Sequence, residues 1–288
     1  MSMPTDRVTT IGQSRVQHGK ASHRVYLMHL EPSETADLLP KLDQLAQRNR
    51  YGKIFAKAPV TALPAFVQAR YREEARVPKF FQGKTACVFL AKYLDPERRK
   101  GAREAQRRKA LDAALARAAE SRPPVKRKLP QTCTWALAEP DDANELAALY
   151  REVFETYPFP IHDPDFIRES MDDQTVYGCV RHRGGIIAVA SAEKDRAESS
   201  VEMTDFAIRP DWRGRGLAPW MLARLETAMA EDGIQTAFTI ARGVSIPMNK
   251  TFAGAGYRFG GTLINNTQIC GRLESMNVWY KALRACHA

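Results

Sequence analysis

Cysteine is scarce in this chain, and its five residues lie far apart. No two of them form a Cys-x-x-Cys pair, and none belongs to a cysteine–histidine cluster with the spacing of zinc ligands. We therefore expect reduced thiols, no metal site and a cytoplasmic protein. The five residues are Cys87, Cys133, Cys179, Cys270 and Cys286.

Long apolar runs are also lacking. No stretch approaches the ~20 residues that cross a bilayer as a helix, and the first residues contain no apolar signal core. The sequence therefore predicts a protein that does not act within a membrane. Its 288 residues, 44% of them hydrophobic, are enough for one large core or two smaller ones.

Acidic residues are fewer than basic ones, with 33 Asp and Glu against 43 Lys and Arg, so the formal net charge is +10. Most of this excess falls in residues 95–128, which contain twelve basic and five acidic residues. This segment is rich in Ala and Arg, which is typical of an exposed helical spacer. Because the excess is confined to it, we do not expect a nucleic-acid partner.

The most informative stretch is residues 201–218, VEMTDFAIRPDWRGRGLA. Its alternating apolar residues predict a buried strand, and a helical pattern runs from Leu217 to Glu231. The glycines between them allow the backbone to come close to a ligand, and the first N–H groups of the helix point at the turn. This arrangement favours binding of a diphosphate. Two alternatives stay open, an incidental strand–helix connection and a nucleic-acid contact.

The order of predicted elements divides the chain into four segments. Residues 1–22 are polar and read as a flexible tail, and residues 23–94 read as an α/β half-domain. Residues 95–130 form the basic helical linker, whose helix stops at Ser121-Arg122-Pro123-Pro124 and whose extended connector ends at Pro130. Residues 131–288 contain a complete α/β domain. Residues 23–94 repeat the element order of its second half but lack the glycine-rich turn, so they are either a degenerate copy or an unrelated extension.

Several motifs of this sequence resemble a known group of proteins. Arg-x-x-Gly-x-Ala after an acidic strand resembles the acetyl-CoA site of the GNAT superfamily of N-acetyltransferases. Longer motifs narrow the resemblance to the β-lysine N-acetyltransferases and cover nearly the whole chain. These motifs are GKIFAKAP (52–59), FLAKYLDP (89–96), YPFPIHDP (157–164), EMTDFA (202–207), MNKTFAGAGYRFGGTLINNT (248–267) and ESMNVWYK (274–281).

The resemblance implies a fold, a co-substrate and a reaction. The fold is α/β with the mixed sheet of GNAT acetyltransferases, preceded by a half-domain that resembles the second half of that fold. The reaction moves an acetyl group from acetyl-CoA to the ε-amine of β-lysine, a diamino acid. The product is a compatible solute used in osmoadaptation, and a lysine 2,3-aminomutase supplies the substrate. Whether two chains form a homodimer stays open.

Two acidic residues on the strand beside the turn are the catalytic candidates, Glu202 and Asp205. An aliphatic amine is protonated near neutral pH, so a base must remove a proton before the nitrogen attacks. Glu202 resembles the strand glutamate that acts as base in several acetyltransferases, although it could instead bind the substrate ammonium. Residues three apart on a regular strand face opposite sides, so at most one of the two faces the amine unless a bulge intervenes.

The resemblance also implies a coenzyme-binding set. Backbone N–H groups of the turn hold the diphosphate, and an N–H near Phe206 or Ala207 binds the developing oxyanion. At the position of Phe252, many relatives have a tyrosine that protonates the thiolate. Two alternatives follow: this protein has no dedicated acid, or Tyr257 or Tyr280 takes that role. The predicted set is Phe206, Ala207, Ile208, Arg213, Gly214, Arg215, Gly216, Leu217, Ala218, Asn249 and Phe252.

β-Lysine carries a carboxylate and a second ammonium, and both need partners. Arg242 is the candidate for the carboxylate. Several of the candidates for the ammonium have structural alternatives, because Asp163 can cap a helix and Asn265-Asn266 can form a turn. The candidates for the ammonium are Asp163, Glu193, Asn265, Asn266, Glu274 and Asn277.

Two other functions compete with this hypothesis. The first keeps acetyl transfer but changes the acceptor to α-lysine, another diamine or a protein lysine. The second makes the chain a basic binding protein in which the coenzyme fold acts as a sensor. The presence of Glu202 at the expected base position disfavours a sensor without activity.

Overall fold

The structure, a computed structural model, describes residues 6–101, 103–120 and 128–283. The predicted boundary at 121–124 and Cys286 lie outside these ranges. None of the helices within them is both long enough and apolar enough to cross a membrane.

The N-terminal half, residues 6–94, is an α/β unit followed by the helix α3 (Glu104–Ala119). Its elements are β1 (Arg7–Ile11), β2 (Ser14–Gly19), β3 (Arg24–His29), α1 (Thr35–Arg48), β4 (Lys53–Pro59), α2 (Leu63–Gln68), β5 (Arg72–Phe81) and β6 (Thr85–Tyr93). The predicted flexible tail is wrong for residues 7–19, which pair as an antiparallel hairpin. Its inner strand β2 contributes the buried Val16, although polar residues dominate the segment and hide the strand from sequence analysis.

The C-terminal half, residues 131–283, follows the predicted GNAT order. Its elements are β7 (Cys133–Leu137), α4 (Ala143–Val153), α5 (Pro164–Asp172), β8 (Thr175–His182), β9 (Gly185–Asp195), β10 (Ser200–Ile208), α6 (Leu217–Glu231), β11 (Thr236–Arg242), α7 (Ile246–Gly254), β12 (Arg258–Ile269) and β13 (Arg272–Ala282). The predicted strand and helix around the glycine-rich turn correspond to β10 and α6.

The described strands form one mixed sheet in the order β1-β2-β3-β4-β6-β5-β12-β13-β11-β10-β9-β8-β7. The two halves meet where β5 pairs with β12, at Ala75 and Gly261. On either side of this junction the pairing pattern is the same. β3 and β4 are parallel like β10 and β11, while the other corresponding pairs are antiparallel. Every strand of the N-terminal half therefore has a counterpart in β8–β13.

The two halves also contact each other away from this strand pairing. Gln17 Nε2 on β2 donates to the carbonyl oxygen of Pro158 at 3.2 Å, and Arg24 Nη1 on β3 donates to that of Asn266 at 2.8 Å. One apolar cluster contains Phe55, Phe89 and other residues from both halves. Residues of both halves therefore pack together beyond the junction of β5 and β12.

The basic segment packs against the C-terminal half instead of forming an exposed spacer. Ala110 and Ala114 of α3 are fully buried, and α3 contacts α7 along its length. Arg107 Nη1 donates to Thr262 Oγ1 at 3.2 Å. The prediction of an exposed helix was wrong because the buried face of α3 consists mainly of alanine, which gives little hydrophobic periodicity.

Candidate active site

Strands β10 and β11 separate partway along their length. They pair from Ser200 to Glu202 but not beyond, although both strands continue for several residues. The pairing of β10 with β9 is interrupted between Thr204 and Ala207 by a bulge, in which Asp205 has a φ of +53°. The gap and the bulge expose backbone groups and side chains of β10 at the centre of the molecule.

A groove of about 650 Å³ starts at the turn before α6 and follows the gap between β10 and β11. Gly214 and Gly216 of this turn have φ angles of +76° and +79°, which residues with a side chain rarely adopt. The turn thus brings the N-terminus of α6 to the groove, where its first backbone N–H groups lack helical acceptors and favour an anion. We call this space the glycine groove; its lining includes Tyr157, Thr204, Asp205, Phe206, Ile208, Arg213, Gly214, Gly216, Leu217, Ala218, Arg242 and Phe252.

A second space, of about 350 Å³, is lined by residues from both halves. We call it the polar cavity. It meets the glycine groove at Tyr157, Thr204 and Asp205, which line both spaces. Its lining includes Arg24, Tyr26, Phe55 and Lys57 from the N-terminal half and Tyr157, Glu193, Glu202, Thr204, Asp205 and Asn266 from the C-terminal half.

Five carboxylates of the C-terminal half line the polar cavity, and three of them, Glu193, Glu202 and Asp205, interact electrostatically. Burial raises the pKa of Glu202 to about 7; the positive charge of Lys57 opposes this shift, and the negative charge of Asp205 adds to it. Desolvation, followed by the charges of Asp205 and Glu202, raises the pKa of Glu193 well above its usual range, although this side chain remains accessible to solvent. Carboxylates this close resist ionising together, so a bound cation would stabilise their charged forms.

Asp205 is the most enclosed of the three, with only 7% of its surface exposed. Its carboxylate accepts hydrogen bonds from the hydroxyls of Tyr157 and Thr204, and from Ser191 Oγ at 2.7 Å. Burial raises its pKa despite these bonds. Burial and the adjacent Asp205 charge raise the pKa of the Tyr157 hydroxyl well above its usual range, so this group retains its proton.

The structure brings most of the predicted coenzyme set to the glycine groove, but not all of it. Arg215 does not line the groove; its guanidinium lies 4.5 Å from the centre of the Trp212 ring. Ala207 is buried in β10. Asn249 is also buried: its Nδ2 donates to the carbonyl oxygens of Arg242 and Ser245, and its Oδ1 accepts from Asn277 and Trp279. Asn249 therefore positions α7 and does not reach the groove.

Of the residues that were predicted to bind the acceptor, only Glu193 and Asn266 line the polar cavity. Asp163 caps α5, accepting from the Asp165 N–H at 3.0 Å. Asn265 binds the carbonyl oxygens of Arg98 and Lys100. These candidates lie elsewhere because their short polar side chains serve caps and turns, which sequence analysis does not distinguish from ligand contacts.

Three further residues that were predicted to bind the acceptor, Glu274, Arg242 and Asn277, instead form ion pairs or hydrogen bonds within the protein. Glu274 is buried and ion-paired with both Arg103 at 2.9 Å and Arg242 at 3.2 Å. Arg242 lines the glycine groove and not the polar cavity, so it is misplaced for the acceptor carboxylate. Asn277 Oδ1 accepts from Thr262 Oγ1 at 2.9 Å within the buried network of Asn249.

Sequence reasoning missed several residues of the polar cavity, among them Arg24, Lys57 and Tyr157. Lys57 lies in the GKIFAKAP motif and Tyr157 begins the YPFPIHDP motif, but these motifs were noted only for the family resemblance. Arg24 lies outside the quoted motifs, and nothing in the sequence connects it with Glu202. Tyr257 and Tyr280, the two tyrosines considered as acids for the thiolate because Phe252 has no proton to give, line neither space.

Metal ligands do not converge anywhere in residues 6–101, 103–120 and 128–283. No group of three or more His, Cys, Asp or Glu side chains is placed there to hold a metal ion. The site therefore consists of a groove with an anion-binding turn, a cavity with acidic groups, and the junction between them.

Such a groove beside a splayed, bulged strand defines an acetyltransferase of the GNAT type. The model of the acetyltransferase (GNAT) family matches residues 143–251, which include the bulge, the turn and the first part of α7. The full chain is 31% identical to the β-lysine N(6)-acetyltransferase of Methanococcus maripaludis over 276 residues, covering 96% of this chain and 98% of that protein. The chain therefore belongs to the β-lysine N(6)-acetyltransferase family, within the GNAT acetyltransferases.

Two further relatives match along most of their length. The N-acetyltransferase YodP of Bacillus subtilis is 32% identical over 245 residues, covering 85% of this chain and 87% of that protein. The β-lysine N(6)-acetyltransferase of Methanosarcina mazei is 28% identical over 261 residues, covering 84% of this chain and 95% of that protein. These matches extend well beyond residues 143–251, so they include much of the N-terminal half.

Proposed function

We propose that this chain transfers the acetyl group of acetyl-CoA to the ε-amine of β-lysine and releases Nε-acetyl-β-lysine. The observation that carries the proposal is the cluster of Glu193, Glu202 and Asp205 beside the junction of the two spaces. A ligand with two ammonium groups compensates such a cluster, whereas a monoamine compensates less of it. Two relatives that match nearly their whole length are named for the same reaction.

The glycine groove fits the coenzyme. Acetyl-CoA supplies the thioester, and the backbone N–H groups between Arg213 and Ala218 bind its diphosphate at the N-terminus of α6. Arg213 lines the same part of the groove and adds positive charge. The junction at Thr204 and Asp205 then receives the acetyl end, since it is the point at which the groove opens into the polar cavity.

Glu202 is the base in this proposal. The ε-ammonium of β-lysine gives a proton to its carboxylate, and the freed nitrogen attacks the thioester carbonyl carbon. The carbon–sulfur bond then breaks, and the thiolate leaves as the free thiol after taking the second proton that the nitrogen loses. A pKa of about 7 suits this role, because the group is largely ionised slightly above neutrality yet accepts a proton readily.

The bulge in β10 supplies the remaining groups. It leaves Asp205 and Phe206 out of the register between β9 and β10, and an N–H here is available for the carbonyl oxygen as negative charge develops. Tyr157 and Ser191 hold Asp205 in place. The Tyr157 hydroxyl donates to Asp205, so the proposal assigns no side-chain acid to the thiolate, which is a tolerable leaving group.

The physiological setting follows from the chemistry of the product. Acetylation removes one positive charge from β-lysine, so the product has one ammonium and one carboxylate and no net charge. Such a zwitterion is suited to accumulate in the cytoplasm as a compatible solute during osmotic stress. The acceptor has to be formed from lysine by a 2,3-aminomutase reaction.

In the test, purified protein is incubated with acetyl-CoA and, in separate reactions, with β-lysine, α-lysine or a simple diamine. The products are identified by mass spectrometry and NMR. We expect acetyl transfer to β-lysine at the ε-nitrogen, faster than to α-lysine. Acetylation at the β-nitrogen, equal rates with α-lysine, or no transfer to either amino acid would reject the proposal.

A further inference from the structure

The N-terminal half contributes positive charge to the lining of the polar cavity, which also contains Glu193, Glu202 and Asp205. Arg24 on β3 and Lys57 on β4 both line the polar cavity. Their strands pair in parallel with Tyr26 opposite Phe55, so Arg24 and Lys57 belong to the same face of the sheet as these rings. The N-terminal half lacks a glycine-rich turn of its own, but it forms part of the cavity.

Arg24 is a buried cation without a carboxylate partner. Its surface is 4% exposed, and its guanidinium lies 5.0 Å from the centre of the Tyr26 ring. It donates to the carbonyl oxygen of Asn266 at 2.8 Å and to Gln17 Oε1 at 3.4 Å, while its Nε has no hydrogen-bond partner. Among the described residues no Asp or Glu forms an ion pair with it. A buried guanidinium with an unused donor is costly unless an anion binds beside it.

Lys57 is a second cation that the protein leaves unpaired. Its ammonium lies 5.6 Å from the centre of the Phe80 ring and 6.0 Å from that of Phe238, and it forms no ion pair with the part of the chain that the structure describes. Lys53, on the same face of β4, is paired with Glu74 at 2.8 Å. The contrast indicates that Lys57 is kept free although its strand neighbour has a carboxylate.

The polar cavity is therefore lined by cations from the N-terminal half and by carboxylates from the C-terminal half. We propose that Lys57 and Arg24 bind the carboxylate of the diamino-acid acceptor, while Glu193 binds its second ammonium and its ε-amine lies at Glu202. The inference rests on the proposed function and deepens it. The N-terminal half then selects amino acids over simple diamines, a role that Arg242 cannot have because it lies in the glycine groove paired with Glu274.

The test compares β-lysine with 1,4-diaminopentane, which retains both amines at the same spacing but lacks the carboxylate. We expect wild-type protein to prefer β-lysine in kcat/KM by about 10- to 100-fold, the range for a hydrogen-bonded charge pair. Lys57→Met keeps the packing against the aromatic rings and removes the charge. Measured at a pH above the titration of Glu202, it should lower kcat/KM for β-lysine by about the same factor and leave 1,4-diaminopentane little changed, whereas Lys57→Arg should retain the preference.

Two further variants separate this role from general damage. Lys41→Met removes an exposed lysine of α1 and should retain the full preference for β-lysine. Arg24→Lys, checked for folding by its thermal midpoint, should reduce the preference if it folds. If neither Lys57→Met nor folded Arg24→Lys reduces the preference, or if Lys57→Met lowers both substrates equally, the proposal is overturned.

The wild-type result alone distinguishes the two proposals. If wild-type protein acetylates β-lysine but shows no preference over 1,4-diaminopentane, the carboxylate site is rejected and the proposed function stands. If it does not acetylate β-lysine, the proposed function fails first, and the inference fails with it.

Discussion

At the scale of single residues, the site depends on a local exception to strand geometry. Glu202 and Asp205 are three residues apart, so a regular strand would place them on opposite faces. The bulge after Thr204 and the positive φ of Asp205 turn both carboxylates toward the polar cavity. The sequence shows both residues, and strand geometry shows that they face the same side only if a bulge lies between them. It does not show the bulge, because no glycine or proline marks it.

The role of Glu202 as base leads to the first prediction. Glu202→Gln should lower kcat by about 100- to 1000-fold, the usual contribution of a general base. The dissociation constant of acetyl-CoA should be unchanged, since Glu202 lines the polar cavity and not the glycine groove. Single-turnover kinetics and coenzyme titration measure the two quantities. Glu198→Gln, in the adjacent turn and outside both spaces, is the control, and normal turnover in Glu202→Gln would remove this residue as base.

The pH dependence of the reaction gives the second prediction. The ionised form of Glu202 accepts the proton, and its pKa is raised to about 7, so kcat/KM should rise with pH through a midpoint near 7. An ordinary glutamate would place this limb near pH 4.3. Because the charge of Lys57 lowers the pKa of Glu202, Lys57→Met should move the midpoint to higher pH with both acceptors. A profile that is flat between about pH 5 and pH 8 would contradict the assignment.

At the scale of elements, the strand–turn–helix around β10 and α6 was predictable because every signal in it is local. The apolar alternation, the glycines and the helical periodicity lie within about thirty residues of one another. The packing of α3 was not predictable, since its buried face is made of small alanines whose partner α7 lies far along the chain. The hairpin of β1 and β2 was missed for a related reason, because its burial depends on strands elsewhere.

The turn before α6 gives the third prediction. Gly214 has a φ of +76° and lines the glycine groove, and a side chain there costs about 1–2 kcal/mol in backbone strain. Gly214→Ala should therefore raise the dissociation constant of acetyl-CoA by about tenfold. Gly184→Ala is a matched control, because Gly184 has a φ of +86° in the turn between β8 and β9, away from both spaces. Calorimetric titration that showed equal affinities for the two variants would contradict the assigned anion site.

At the scale of the whole molecule, the two halves share one sheet and one cavity. Their strands repeat the same order and pairing around the contact of β5 with β12. The sequence indicated this repeat for residues 23–94, and the structure extends the matching order to β1 and β2. The shared cavity was not predictable, because Arg24, Lys57 and Glu202 come to line it through contacts between distant segments of the chain.

The link between the halves gives the fourth prediction. Arg98 is buried and donates to the carbonyl oxygens of Ser22 at 2.7 Å, His23, and Asn265 at 3.1 Å, so it joins the N-terminal half to β12. Arg98→Met leaves these carbonyls unpaired and should lower the free energy of unfolding by about 3 kcal/mol. Arg108→Met, on the exposed face of α3, should change it little. Equal stabilities in denaturant titrations would show that Arg98 does not join the halves.

The central claim is that one cavity between the halves holds a diamino acid with its ε-amine at the end of the coenzyme groove. The most direct measurement is a crystal structure with coenzyme A and β-lysine bound together. We predict the diphosphate at the N-terminus of α6, the ε-nitrogen within hydrogen-bond distance of Glu202, and the carboxylate between Arg24 and Lys57. β-Lysine in the reverse orientation, or bound outside the polar cavity, would contradict the account.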